Sequence, residues 1–299
     1  MNNLANIGRW LLPAIAYGDA FGLPYETAKM DPARKVQQLA PVTQNKYVGH
    51  QKTGTWSDDT HLSLATAVSL IESNGFNMRS QVNYHVMAYD LTMRDFLYEN
   101  ENPDLMPAIH ANGEVTSWGR GTTTAVHRLK LGVSHDQSGG TNMHGNGVLM
   151  KMAPLVYWQL CMGIPAAECA KQIGVYTRMT HDNTNCVLQS QLWAETLRAV
   201  YDGEKIEMAN FDLENDFPKR GFDARETLHI VRLYFNLEPN FPANIQKAIT
   251  FGGDSDSICS MLGALSVFAG TFSPPEDIKQ LHDYARLTRV SERLSQFAK

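Results

Sequence analysis

No charged side chain occurs between Asp256 and Glu276, and that gap constrains the fold more than any other feature of the chain. Within it Ile258, Met261, Leu262, Leu265 and Phe268 recur at the spacing of a helix face. Gly263, Ala264, Ser266, Ala269 and Gly270 make the other side small. A helix that is apolar or small all round belongs at the centre of a globular protein, with neighbours close against it. Its leading edge is Gly252-Gly253-Asp254-Ser255-Asp256-Ser257. Residues two apart on a helix diverge by roughly 200°, so Asp254 and Asp256 converge only if a turn precedes them. The glycine pair supplies that turn, and Asp254 or Ser255 then caps the helix. Carboxylates among the free N–H groups of a helix start stay ionised through those donors and the helix dipole. Ionised oxygens that are also buried call for a cation. An N-capped core helix with a spare aspartate reads the same stretch equally well.

A second stretch tips that balance. Ser57-Asp58-Asp59-Thr60 opens another apolar pattern, Leu62, Leu64, Ala65, Val68, Ile71, and taken alone it is an ordinary doubled N-cap. Two acid-and-hydroxyl clusters, each at the start of an apolar helix, can meet if the helices cross or run antiparallel. The donors are then all oxygen, which suits Mg²⁺ or Mn²⁺ and not zinc. The number of carboxylates allows two ions about 3.5–4 Å apart.

The length of 299 residues, 43% hydrophobic content and 19% charged content describe an ordinary globular chain. A formal net charge of −5 and no long basic run argue against a nucleic-acid partner. Cys161, Cys169, Cys186 and Cys259 lack C-x-x-C spacing, so reduced thiols and a cytoplasmic location are expected. Trp10 to Tyr17 reads as a first core helix, and no apolar stretch is long enough to span a membrane.

Between these landmarks lie loops with chemistry. Gly18-Asp19-Ala20-Phe21-Gly22-Leu23-Pro24-Tyr25-Glu26 reads as a glycine-punctuated loop with two acids among apolar residues. Asp19 can cap a helix there, and Glu26 leaves a stiff proline turn able to aim a carboxylate. Lys29 to Thr55 reads as a long irregular connection, and Glu99 to Asp104 as a surface loop. Gly119-Arg120-Gly121-Thr122 at a helix start offers N–H and hydroxyl donors for a phosphate, or a plain threonine cap. Gly145-Asn146-Gly147 leads into Met150 and lets a ligand approach the backbone, with the Asn146 amide a partner for a sugar hydroxyl. His181 precedes a helix that Gly203 ends. Ala224 to Leu237 and Pro274 to Lys299 read as amphipathic helices. Period-2 strand patterns are scarce, so the expectation is all-α: one compact multi-helix domain over residues 1–299, with its site at helix N-termini.

Taken in order, Gly18 to Glu26, Ser57 to Thr60, Gly119 to Thr122, Gly145 to Gly147 with Met150, Thr180-His181 and Gly252 to Ser257 resemble the ADP-ribosylglycohydrolase family across nearly the whole chain. The resemblance implies a compact helical fold with two Mg²⁺ or Mn²⁺ ions at the bottom of a cleft. It makes Ser57, Asp58, Asp59, Asp254, Asp256 and Ser257 the metal ligands. Glu26, Asp59 and Asp256 become the candidate catalytic carboxylates. Gly119, Gly121, Thr122, Gly145, Asn146, Gly147, Met150 and His181 become the ADP-ribose contacts. Ser255 and Ser257 stand where threonine is usual, Phe21 where a smaller aliphatic is usual, and Lys151 where arginine is common. The implied activity is hydrolysis of the glycosidic bond between ADP-ribose and a protein side chain or small conjugate, arginine first among the linkages. Two alternatives remain: a non-catalytic ADP-ribose binder or structural relative on the same scaffold, and a helical Mg²⁺-dependent isoprenoid synthase. Against the synthase, Asp58-Asp59-Thr60-His61-Leu62 lacks the third acid of D-D-x-x-D.

Overall fold

The computed structural model of the protein describes residues 3–43, 45–93, 118–207, 217–218, 220–237 and 240–298. Eleven α-helices run through them: α1 (Leu4–Gly22), α2 (Asp58–Glu72), α3 (Met78–Met93), α4 (Arg120–Lys130), α5 (Ala153–Cys161), α6 (Ala166–Arg178), α7 (Thr184–Tyr201), α8 (Ala224–Leu237), α9 (Phe241–Phe251), α10 (Ser255–Phe268) and α11 (Tyr284–Leu294). No strand occurs among the described residues, only two isolated bridges, Val42 with Gln51 and Gly145 with Asp223. The fold is all-α, as the scarcity of strand patterns implies. The expected loop at Glu99 to Asp104 lies outside the described residues. No helix among them is long and apolar enough to cross a membrane.

α10 is the helix demanded by the uncharged gap, and every residue from Ser255 to Phe268 is buried. Its main partner is α1. Ala14, Gly18 and Gly22 of α1 face Gly263, Cys259 and Ser255 of α10, so the pair is antiparallel and each side presents a ridge of residues four apart. The contact is backbone on backbone: a Cβ on Gly18 would stand 2.1 Å from the Cys259 carbonyl oxygen, and one on Gly263 2.2 Å from that of Ala14. This corrects one expectation. Gly18 and Asp19 are not in a loop, because α1 continues to Gly22 and its glycines serve close helix packing instead of a turn.

Around this pair α1 also packs on α11, α2, α5 and α9, and α10 on α9, α8, α7 and α2. One continuous apolar core runs through them. The antiparallel register sets the end of α1 beside the start of α10. The 3₁₀ turn Leu23–Tyr25, with Pro24 in its first positions, then delivers Glu26 to that same end. The segment from Pro274 is helical only from Tyr284, after a short 3₁₀ turn at Ile278–Gln280. Gly203, with φ +79°, follows α7 as a helix stop should.

Candidate metal centre and ligand cavity

The two acidic helix starts meet. Ser257 and Ser260 on α10 donate to Asp59 on α2, at 3.2 Å to Oδ2 and 2.9 Å to Oδ1. Ser57, the N-cap of α2, also donates to Asp59 Oδ2 at 3.3 Å. What joins them from below is Asp19. Fully buried on α1, it accepts from the Ser57 N–H with both oxygens at 2.9 Å, and from the Thr60 N–H and hydroxyl at 3.1 and 2.7 Å. A carboxylate from one helix thus caps the next and holds Asp58 and Asp59 toward α10.

Across from Asp59, Gly252 and Gly253 turn with φ of +72° and +68°, a conformation that L side chains rarely adopt. That turn ends α9 and places Asp254 directly before α10. Asp254 stands at the N-cap position without a side-chain capping bond. Its Oδ2 instead accepts from Asn146 Nδ2 at 2.9 Å. Glu26, Asp254 and Asp256 each bring one carboxylate oxygen to within 4.8 Å of the others. Asp58 lines the same space. Asn45 Nδ2 donates to Glu26 Oε2 at 2.8 Å and to the Leu23 carbonyl at 3.1 Å, which fixes the glutamate's direction.

Burial, and then neighbouring carboxylates, push Asp58, Asp59 and Asp256 well above the usual carboxylate range. Burial and then Asp254 push Glu26 up to about 8. Asp19, the deepest acid, rises only to about 6, because four hydrogen bonds to its oxygens offset the burial. The residues fit a hard cation on two counts. The donors are oxygen only, and Asp256 Oδ1 is buried with no hydrogen-bond partner among the described residues. A positive charge there would satisfy the orphan and favour the ionised forms of the acids.

This centre forms one end of a cavity of about 400 Å³. Its lining includes Glu26, Asp58, Asp59, Asp254, Asp256 and Ser257 at the acidic end, and Gly119, Gly121, Thr122, Gly145, Asn146, Gly147, Met150 and His181 along the wall. Ser57 is not part of the lining; its hydroxyl faces Asp59. Gly119 is the N-cap of α4, so Thr122 falls inside the first helical turn and not at the cap. Its buried hydroxyl has no partner among the described residues. Asn146 donates through Nδ2 to the Gly221 carbonyl as well as to Asp254, which leaves its Oδ1 for a ligand. Its effect on the site runs through Asp254. Lys151 does not line the cavity and points into the core, toward Thr180 and Tyr176.

The sequence did not single out Asn45, Ser260 or the wall residues Tyr47, Met143 and Phe222. Ser260 carried a usable signal, since it lies one helical turn after Ser257. Asn45 carried none, because it reaches Glu26 from an irregular segment.

Known proteins agree with this architecture. The ADP-ribosylglycohydrolase family matches residues 11–298, and the chain belongs to that family. An uncharacterized protein of Archaeoglobus fulgidus is 25% identical, over 94% of this chain and 93% of its own. A solved structure described as an ADP-ribosylglycohydrolase-related protein complex superposes with a TM-score of 0.72 at 20% identity, covering 99% of each chain. It is similar in fold. The family assignment removes the isoprenoid-synthase alternative.

Proposed function

We propose that the protein is a divalent-cation-dependent hydrolase that releases ADP-ribose from a modified protein side chain or small conjugate, with the arginine N-glycoside as its preferred substrate. The observation that carries this reading is the grouping of Glu26, Asp254 and Asp256 in the lining of a cavity whose wall also includes Gly119, Gly121, Gly145 and Gly147. Glu26, Asp58, Asp59, Asp254 and Asp256, with the hydroxyls of Ser57 and Ser257, are the groups that would hold two Mg²⁺ or Mn²⁺ ions. When bound, such ions supply the positive charge that draws a sugar diol and a water to the reacting carbon.

The residues of the chain do the rest. The backbone at Gly119 to Thr122 and Gly145 to Gly147 admits the ADP-ribosyl group close to the wall, with the start of α4 and the Thr122 hydroxyl facing phosphate oxygens. His181, whose ring lies against Gly121 and Gly145, contacts the ligand from that same strip of wall. Water adds to the anomeric carbon as the carbon–nitrogen bond breaks, through an oxocarbenium-like transition state that the surrounding carboxylates stabilise. The electron pair leaves with the guanidine nitrogen, which gains a proton, while Glu26, Asp256 or Asp59 accepts the proton of the water. Five carboxylates outnumber the four positive charges of two divalent ions. The remaining negative charge favours a cationic guanidinium leaving group over an uncharged serine.

Incubation with Mg²⁺ or Mn²⁺ and peptides ADP-ribosylated on arginine or on serine should liberate ADP-ribose, faster from arginine. Binding of ADP-ribose without release from either peptide would replace the enzyme by a non-catalytic binder on this scaffold.

A further inference from the structure

Behind the cavity wall lies a buried polar cluster that the hydrolytic reading does not use. Lys151 is completely buried. Its Nζ donates to Thr180 Oγ1 at 3.0 Å and lies 4.5 Å from the centre of the Tyr176 ring. Thr180 Oγ1 is in turn 3.0 Å from His181 Nδ1. The other ring nitrogen of His181, Nε2, faces the cavity glycines: a Cβ on Gly121 would stand 2.4 Å from it and one on Gly145 3.7 Å.

We propose that Lys151, acting through the Thr180 hydroxyl, is a positioning residue that holds His181 as the neutral tautomer with its proton on Nε2, making it a hydrogen-bond donor to an oxygen of the bound ligand. The proposal rests on the ligand contact of His181 assigned above. Three neighbours contact the Thr180 hydroxyl, and two of them compete for its single proton. Lys151, protonated below about pH 7, can there only donate to it. The Thr177 carbonyl is an acceptor at 3.5 Å, the limit for a hydrogen bond, whereas His181 Nδ1 lies at 3.0 Å. The proton therefore goes to Nδ1, which must be unprotonated to accept it. The lysine charge reinforces this orientation, since it repels the hydroxyl proton toward the histidine.

Burial, and then the Lys151 charge, push His181 down to about 3, so the ring stays neutral. His85 on α3 provides an internal contrast. Its Nδ1 is 2.8 Å from the Gln81 carbonyl and its Nε2 is 3.0 Å from the Tyr176 hydroxyl. A carbonyl only accepts, so His85 carries its proton on Nδ1. Two buried neutral histidines on either side of one lysine thus hold opposite tautomers.

Two-bond ¹H–¹⁵N correlation spectra of histidine-labelled protein, with signals assigned by His181→Gln and His85→Gln, read this directly. At pH 6 wild-type His181 should show a protonated Nε2 and His85 a protonated Nδ1. Thr180→Val, which removes one hydroxyl without changing side-chain size, and Lys151→Met should each shift His181 toward mixed tautomers and leave His85 unchanged. Thr180→Val should also weaken ADP-ribose binding about tenfold. A wild-type His181 protonated on Nδ1, or a tautomer unchanged in both variants, overturns the proposal. A change in Thr180→Val alone removes Lys151 from it. If wild-type protein shows the assigned tautomers but binds no ADP-ribose, the arrangement stands and the functional reading falls.

Discussion

The acidic end of the cavity and the cluster behind its wall are both buried and both charged, yet they solve the problem of buried charge in opposite ways. At the acidic end Asp19, Glu26, Asp58, Asp59, Asp254 and Asp256 crowd together, and the described residues supply hydroxyls and N–H groups but no basic side chain bonded to any of them. Around Lys151 the polar partners are Thr180 and the Tyr176 ring, with His85 and His181 beyond, all uncharged. The first region lacks counter-charge among the described residues, and in the proposed reading that charge arrives from solution. The second holds a single lysine, charged below about pH 7, which in the proposal above orients neutral groups. A cluster short of counter-charge marks a binding site for ions, whereas a single charge among neutral partners marks an orienting device.

The largest expected effect tests the first half of that contrast. Asp256→Asn removes the carboxylate with the orphaned oxygen, and turnover should fall by at least about a thousandfold, roughly 4 kcal/mol of transition-state stabilisation. Mg²⁺ should raise the Tm of the wild type, and raise it less in the same variant. Full cation-dependent activity in Asp256→Asn would mean that the acidic end is a structural knot and not an ion site. A smaller effect is expected at Asp19, whose oxygens serve four hydrogen bonds at the start of α2. Asp19→Asn sets an amide nitrogen against N–H donors and should cost about 2–3 kcal/mol of stability. Urea denaturation measures it, and a loss under about 0.5 kcal/mol would show that α2 is held without this clamp.

The two regions differ as much in how far the sequence discloses them. Each half of the acidic end is contiguous, Ser57-Asp58-Asp59 and Asp254-Ser255-Asp256-Ser257, so a local pattern of acids before an apolar helix was enough to find both. Their meeting depends on the register of α1 against α10, and there the sequence misled. Gly18 and Gly22 read as turn residues, although their spacing of four is also that of a helix ridge, which is how α10 uses them. Of the Lys151 cluster the sequence disclosed only the pair Thr180-His181. Lys151 precedes α5, Tyr176 lies on α6, His85 on α3, and Thr180 follows α6. Only packing gathers them, and a lone lysine beside Met150 in the sequence gives no sign that it points into the core.

The smallest effect per unit of the variable concerns that lysine, and it sharpens the contrast through pH. Burial pushes Lys151 down to about 7, against about 10.4 for an unfolded lysine. Between these values the unfolded chain binds a proton that the folded chain does not, so folding stability should rise with pH across that window. Below pH 7 both states hold the proton and the full cost of burying the charge remains. The groups that face Lys151 do not titrate in the window: burial raises Tyr176 above its ordinary value, and His85 and His181 are both pushed down to about 3, by burial first and then by Lys151. Lys151→Met lacks the titrating group. The stability of wild type minus that of Lys151→Met, from denaturation at pH 7, 8 and 9, should therefore increase by up to about 1.4 kcal/mol per pH unit. A flat difference would mean that Lys151 keeps its charge throughout and is balanced by a counter-charge. The cluster behind the wall would then be an ordinary ion pair, and its contrast with the acidic end would disappear.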